Sequence, residues 1–131
     1  MRQTGLLALI LLLAAAQPSD VGQARQDNTG SGIQLVQDCR LYFEFLGRTG
    51  AGRDESFEIN PFGMGYCAGL VRGVVAMAET LMPDRVCVPE GTSSAQAVFV
   101  IVRYLEANPL AQPERDTELA LRALENTYRC P

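Results

Sequence analysis

Four cysteines, Cys39, Cys67, Cys87 and Cys130, constrain this chain of 131 residues more than any other feature of its sequence. None of them forms a CxxC pair, so their spacing indicates neither a redox motif nor a metal-binding knuckle. In an exported domain of this size, an even number of cysteines is typical of structural disulfides. Four cysteines allow three pairings, and their count alone does not choose between them.

The N-terminus predicts export from the cytoplasm. One arginine precedes an apolar run from Leu6 to Leu13, and small residues follow at 14–16. These are the three parts of a secretory signal, and the run is shorter than the ~20 residues that span a bilayer. We expect cleavage after Ala16, with Ala24 as the second choice. The prediction is a signal peptide over residues 1–16 and a periplasmic or secreted protein without a membrane anchor after cleavage.

The composition argues against several classes of function. All 11 basic residues are arginines, there are 15 acidic residues and no histidine, and the net charge is −4. Affinity for nucleic acid comes mainly from clustered cations, so no nucleic-acid partner is predicted. The absence of histidine removes the commonest general base and metal ligand, and cysteines held in disulfides supply no catalytic thiol. We therefore predict a protein that is not an enzyme and that has no cofactor and no metal site.

Apolar periodicity and helix-ending residues predict the first two of about four helices. Residues 17–32 are polar and are expected to form a disordered lead before a domain over 33–131. The first helix is predicted over Ile33–Leu46, followed by a Gly-rich, charged loop, Gly47–Asn60. The second begins at Pro61, because proline is favoured at a first helical position. It is predicted to end at about Met82.

The third element is ambiguous on local rules. Residues 98–102 would pass for a buried strand by their β-propensity. Ser93 and Gln96, however, match a capping box that opens a helix, and we predict a helix that ends near Asn108. The predicted buried stripe of this helix comprises Val98, Ile101, Val102 and Leu105. Because Phe99 and Val100 make that helix apolar on most sides, we expect it to be the central helix of the bundle.

A fourth helix over Asp116–Tyr128 completes an all-α fold, a small disulfide-stapled bundle of about four helices. If the first two helices are antiparallel, Cys39 and Cys67 lie at nearly the same depth, because each residue rises ~1.5 Å. If the last two are antiparallel, Cys87 and Cys130 meet at one end of that pair. The helical registers therefore predict the disulfides Cys39–Cys67 and Cys87–Cys130.

The second helix carries Gly65, Gly69 and Gly73 at a spacing of four residues. Each glycine costs a helix about 1 kcal/mol relative to alanine, so the stripe requires a compensating contact. We expect close approach of a neighbouring helix, either within this chain or from a second copy. A membrane dimerisation stripe is the other interpretation, but Arg72 and Glu79 interrupt the apolar run.

Three ordered segments of the sequence resemble the Rap/Tai immunity protein family. They are GYCAGLVRGV at 65–74, CVPEG at 87–91 with VRYLEANP at 102–109, and LALRAL at 119–124 before the terminal Cys130 and Pro131. One departure is Asn108, where the family frequently has histidine. The resemblance covers about residues 34–131.

This resemblance implies a periplasmic, mostly helical, disulfide-bonded binding protein. Relatives bind and block peptidoglycan-cleaving amidase effectors delivered by type VI secretion, often as homodimers. We therefore predict an immunity-like protein with a protein partner, possible homodimerisation and no catalytic residues. The alternative is another non-catalytic binding protein or a periplasmic acid-stress chaperone. Such a chaperone would release from a dimer and expose apolar helix faces as its carboxylates become protonated.

An inhibitor of this kind needs a projecting element that fills the cleft of an enzyme. Two loops could supply it, Gly47–Asn60 and Asn108–Arg115, although the first could equally be a solvated connector. In the second, Leu110 would form an exposed apolar tip or would tuck inward as a cap contact. Charged and aromatic residues dominate binding energy at interfaces, and an exposed leucine can serve as an apolar anchor. The candidate partner-binding residues are Arg48, Arg53, Asp54, Glu55, Phe57 and Leu110.

Overall fold

The computed structural model describes residues 29–48 and 60–131, which form four α-helices and one short 3-10 turn. No β-strand is present among these residues, so the predicted all-α fold is confirmed. The predicted signal peptide and most of the polar lead lie outside the described residues. The helices are α1 Gly32–Arg48, α2 Pro61–Leu81, α3 Ser94–Ala107 and α4 Asp116–Thr127, with the 3-10 turn at Pro109–Ala111.

Side-chain caps determine where α2 and α3 begin. The side chain of Asn60 accepts a hydrogen bond of 3.0 Å from the backbone N–H of Gly63, and Pro61 occupies the first helical position. At α3, the Ser93 hydroxyl accepts from the Gln96 N–H at 3.2 Å, and the Gln96 side chain accepts from the Ser93 N–H at 2.7 Å. This is a complete capping box, and the prediction of a helix rather than a strand is confirmed.

Each helix packs against the other three around one apolar core. The predicted buried stripe of α3 is confirmed, since all four of its members are at most 6 % exposed. The expectation that α3 is apolar and enclosed on most sides is wrong for Phe99, which is 54 % exposed. The largest fully buried side chains are Leu35, Ile101, Leu105, Leu119, Leu124, Val71, Val98, Cys39 and Cys67.

The start of α1 is joined by its backbone to the connection between α3 and α4. The N–H groups of Gly32 and Ile33 donate to the carbonyls of Glu114 and Gln112, both at 3.0 Å. Gly32 has no space for a side chain, because a Cβ there would lie 2.9 Å from the Gln112 carbonyl oxygen. These bonds satisfy two of the N–H groups that a helix start leaves unpaired, and they hold the connection in place.

Two disulfides join the helices, and they are the pairs that the helical registers predict. Cys39–Cys67 links α1 to α2 and is fully buried. Cys87–Cys130 joins the segment before α3 to the end of the chain, and Cys87 is exposed. Beside it, the Cys87 N–H donates to the Tyr128 carbonyl at 2.7 Å. The bundle is therefore cross-linked at both antiparallel helix pairs.

Candidate partner-binding surfaces

Leu110 is the most exposed large apolar residue in the described part of the chain, with 96 % of its surface accessible. It occupies the middle of the 3-10 turn Pro109–Ala111, between α3 and α4. The sequence predicted that this residue either forms an apolar tip or tucks inward, and the structure has the exposed tip. We refer to residues 108–112 as the Leu110 turn.

Hydrogen bonds hold the Leu110 turn in one conformation. The N–H of Ala111 donates to the Asn108 carbonyl at 3.0 Å, and the side chain of Gln112 donates to the Leu105 carbonyl at 2.9 Å. Asn108 donates from its side chain to the Tyr104 carbonyl at 2.8 Å. Leu110 therefore projects from a turn whose backbone is already ordered, so binding through it would cost little conformational entropy.

The other predicted contact residues fall on the loop after α1. Arg53, Asp54, Glu55 and Phe57 lie outside the described residues. Arg48 is the last residue of α1, and its side chain is not described. For these five residues, partner contact stays a prediction from the sequence.

A second surface, which the sequence analysis missed, surrounds Phe99 on the outer side of α3. The ring of Phe43 meets the ring of Phe99 edge to face, with centroids 6.1 Å apart and planes at 89°. The guanidinium of Arg103 lies 5.9 Å from the Phe99 centroid. We call Phe43, Phe99, Val100, Arg103 and Tyr128 the Phe99 surface. The i, i+4 spacing of Phe99 and Arg103 is the feature of the sequence that could have indicated this surface, because it places both side chains on one helix face.

The glycines of α2 do not pack against another element of the described chain. Apart from chain neighbours and the nearby backbone of α2 itself, a Cβ built at Gly65, Gly69 or Gly73 meets no atom of the described residues within 4 Å. Of the two alternatives, a neighbour within this chain is therefore not found among the described residues. The glycines line the face of α2 that points away from the core, together with Ala76, and Phe62 stands near its beginning with 79 % of its surface exposed.

Within the described residues, α2 is also the only helix that is long and apolar enough to cross a bilayer by length and composition. Its opposite face packs into the protein core through Val71, Val74 and Ala78, and Cys67 bonds it to α1. We call the exposed face of α2, comprising Phe62, Gly65, Gly69, Gly73 and Ala76, the α2 outer face.

A buried polar cluster joins α1, α2 and α4 beneath these surfaces. The Tyr66 hydroxyl donates to Asp116 Oδ2, and Asp116 Oδ1 accepts from the Thr117 N–H at 2.6 Å. Burial, with the hydrogen bond to Asp116, raises the pKa of Tyr66 to about 12. The phenol therefore stays protonated at neutral pH and acts as a hydrogen-bond donor.

Asp38, on α1, is the least satisfied member of this cluster. The residue is 7 % exposed, and its Oδ2 has no hydrogen-bond partner among the described residues. Burial raises the pKa of Asp38, and a hydrogen bond with Gln34 partly opposes that effect. No group of three or more possible ligands for a metal occurs in residues 29–48 and 60–131.

A family model described as Rap1a immunity proteins matches residues 31–130. The match includes all four helices, both disulfides, the Leu110 turn and the Phe99 surface. No curated protein and no solved structure matches the chain.

Proposed function

The chain belongs to the Rap1a immunity protein family, and from this premise we propose that it binds a peptidoglycan-cleaving amidase effector in the periplasm and blocks its active-site cleft. Membership of the family supports immunity against a protein effector. The bond cleaved by the effector, its delivery by type VI secretion and the compartment are parts of the proposal. The predicted signal peptide and the two disulfides support an oxidising compartment.

Leu110 is the observation that carries the proposed mechanism. A leucine that is 96 % exposed on an ordered turn is suited to enter a cleft, because its burial contributes about 1.5–3 kcal/mol. The two disulfides and the backbone bonds to α1 hold the turn in place. In this mechanism the protein excludes substrate by occupying the cleft, and it performs no chemistry of its own.

The test is capture and inhibition of the effector by the oxidised protein. We expect the protein to recover a cell-wall amidase from the secreted fraction of its own organism and to inhibit it stoichiometrically. Leu110→Asp should weaken inhibition at least tenfold, because it places a charge in the buried contact. Leu110→Met, which keeps the apolar volume, should inhibit as the unaltered protein does.

Two outcomes would contradict the proposal. If Leu110→Asp inhibits as strongly as Leu110→Met, the Leu110 turn is not the inhibitory element. If no hydrolase is captured at neutral pH and many unrelated proteins are bound near pH 3, together with an apolar dye, the protein is an acid-stress chaperone.

We also propose that the protein forms a homodimer through the α2 outer face. The three glycines leave a shallow channel in which a second helix could approach closely, and this would compensate for their cost to helix stability. In an antiparallel pair with its two-fold axis at the level of Val71, Gly69 would face Gly73 of the second copy. Phe62 would then face Thr80 of the second copy, near the exposed Leu81.

Light scattering after size exclusion tests the dimer. Gly69→Leu should convert it to a monomer without unfolding, since no atom of the described residues lies within 4 Å of a Cβ at Gly69. Gly47→Leu is the matched control, because Gly47 is an equally open helical glycine on α1. A monomeric unaltered protein at about 100 μM, well above the micromolar Kd of a weak complex, would contradict the proposal.

A further inference from the structure

Two grooves lie on the outer side of α3, and Phe99 lines both of them. The first has a volume of about 400 Å³ and is lined by Phe43, Ala95, Gln96, Phe99, Val100 and Tyr128. The second, of about 650 Å³, includes Phe99, Arg103, Tyr104 and Asn108. The first groove is therefore mainly apolar and aromatic, whereas the second has a mixed polar and apolar lining and contains a cation.

Arg103 has no carboxylate partner in the described chain, unlike Arg40, Arg85 and Arg122. Arg40 bonds Glu106 at 2.8 Å, and Arg122 bonds Glu114 at 2.6 Å. Glu106 lies three residues after Arg103 on the same helix, at a spacing that permits an ion pair, yet its carboxylate bonds Arg40 instead. The contact that the structure gives Arg103 is with the face of Phe99.

We infer that the Phe99 surface binds a segment of a protein partner that carries an apolar side chain and a carboxylate a few residues apart. The apolar side chain would pack against Phe99 in the first groove, and the carboxylate would accept hydrogen bonds from the Arg103 guanidinium in the second. Arginine and aromatic side chains in one partly enclosed surface are the combination that dominates binding energy at protein interfaces.

Charge complementarity is the reason to expect a carboxylate on the partner segment. The chain as a whole has a net charge of −4, which disfavours an acidic segment in general, and an unpaired cation beside an aromatic groove, as at Arg103, favours one locally. Arg103 would therefore fix the register of the partner as well as contribute to affinity. The second groove also includes Asn108 of the Leu110 turn, so the two surfaces adjoin. The inference rests on the proposed function only in taking the partner to be a protein.

The test uses two small probes, 3-phenylpropanoate and 3-phenylpropanamide, which differ in charge and have the same ring and chain. Each is titrated into the ¹⁵N-labelled, oxidised protein, and chemical shifts are followed by NMR. We expect shifts centred on Phe99, Val100, Arg103 and Tyr128. The carboxylate should bind about two- to fivefold more tightly than the amide, as an exposed ion pair implies.

Three variants separate the contributions. Arg103→Gln should remove the preference for the carboxylate while leaving the affinity for the amide unchanged. Phe99→Ala should weaken both probes, and Arg122→Gln, which changes an exposed arginine on α4, should weaken neither. Circular dichroism and thermal unfolding establish that each variant is folded.

Equal affinity of the unaltered protein for the two probes would overturn the inference. A carboxylate preference that survives Arg103→Gln would also overturn it, as would shifts centred outside the Phe99 surface. The probes bind without an effector, so the inference about the Phe99 surface can be contradicted even if Leu110 governs inhibition of the effector. Conversely, the surface can pass while no amidase is captured, so the two failures are distinguishable.

Discussion

At the scale of single residues, Gly63 and Gly69 of α2 show why similar glycines have different roles. A Cβ on Gly63 would collide with the carboxylate of Asp38 and would lie 2.9 Å from the amide nitrogen of Asn60. A Cβ on Gly69 meets no atom of the described residues within 4 Å. Gly63 therefore permits the close contact of α1 with α2, whereas Gly69 is not required for the fold of one chain.

Alanine substitutions should separate these two roles. Gly63→Ala should lower the free energy of unfolding by about 1–3 kcal/mol, because the new methyl group is forced against a buried carboxylate. Gly69→Ala should raise it by up to about 1 kcal/mol, because alanine has the higher helix propensity. Urea unfolding of the monomeric protein measures both. Equal effects of the two substitutions would contradict the packing described for Gly63.

Asp38 predicts a dependence of stability on pH. Burial raises the pKa of this carboxyl above its ordinary value near 3.8, so its ionised form is disfavoured in the folded protein relative to the unfolded chain. The Asp38 contribution to stability is therefore largest below pH 3.8 and is lost as the pH rises through the folded pKa. Tyr66 and, through it, Asp116 are the titratable neighbours.

Asp38→Asn should remove this contribution. We expect the variant to be at least as stable as the unaltered protein at pH 7, with an advantage that shrinks as the pH falls through the folded pKa of Asp38 and is gone below 3.8. Urea unfolding at a series of pH values measures the difference, and Asp84→Asn controls for the loss of one exposed acidic residue. A variant that is less stable by the same amount at every pH would show that hydrogen bonding to Asp38, rather than its charge, dominates.

At the scale of elements, the capping box at Ser93 decides between helix and strand for the Val- and Ile-rich segment that follows. A residue-by-residue β-propensity favours a strand there, but Ser93 and Gln96 satisfy two N–H groups that only a helix leaves unpaired. The buried stripe of α3 then supplies the tertiary contacts that stabilise the helix.

Ser93→Ala should destabilise the protein by about 1 kcal/mol through loss of this cap. Ser94→Ala is the matched control, because Ser94 is the first helical residue and makes no capping bond. Thermal unfolding followed by circular dichroism compares them. An equal loss in the two variants would show that the cap does not contribute separately to stability.

At the scale of the whole molecule, the two disulfides have very different accessibility. Cys39 and Cys67 are each 0 % exposed between α1 and α2, whereas Cys87 is exposed at the other pair of helix ends. Thiolate attack requires access to a sulfur atom, so the two bonds should react with a reductant at different rates.

A mild reductant should therefore cleave Cys87–Cys130 first. Timed alkylation followed by mass spectrometry should find label on Cys87 and Cys130 while Cys39 and Cys67 remain bonded. Loss of the exposed bond should cost about 2–4 kcal/mol, and a Cys87→Ser, Cys130→Ser double variant should reproduce that loss. Simultaneous labelling of all four cysteines would indicate that global unfolding precedes reduction.

The sequence by itself determined the number of helices, their bounds to within two residues and the class of fold. These properties depend on local chemistry: Pro61 and Ser93 begin helices, Pro83 follows the end of one, and apolar residues recur at helical spacing. The cysteine pairing could also be predicted, because the constant rise per residue of a helix gives the depth of each cysteine in the bundle from its position in the sequence.

Only the tertiary structure decided which apolar and small residues are covered. Phenylalanine is a residue type common in protein cores, yet Phe99 is half exposed. Gly63 and Gly69 both lie on α2, but Gly63 is enclosed by other residues and Gly69 is not. Exposure depends on which elements pack over a residue, and those elements are distant in the sequence. The surfaces available to a partner are therefore a property of the assembled bundle, because local rules specify helices but not what lies across from each face.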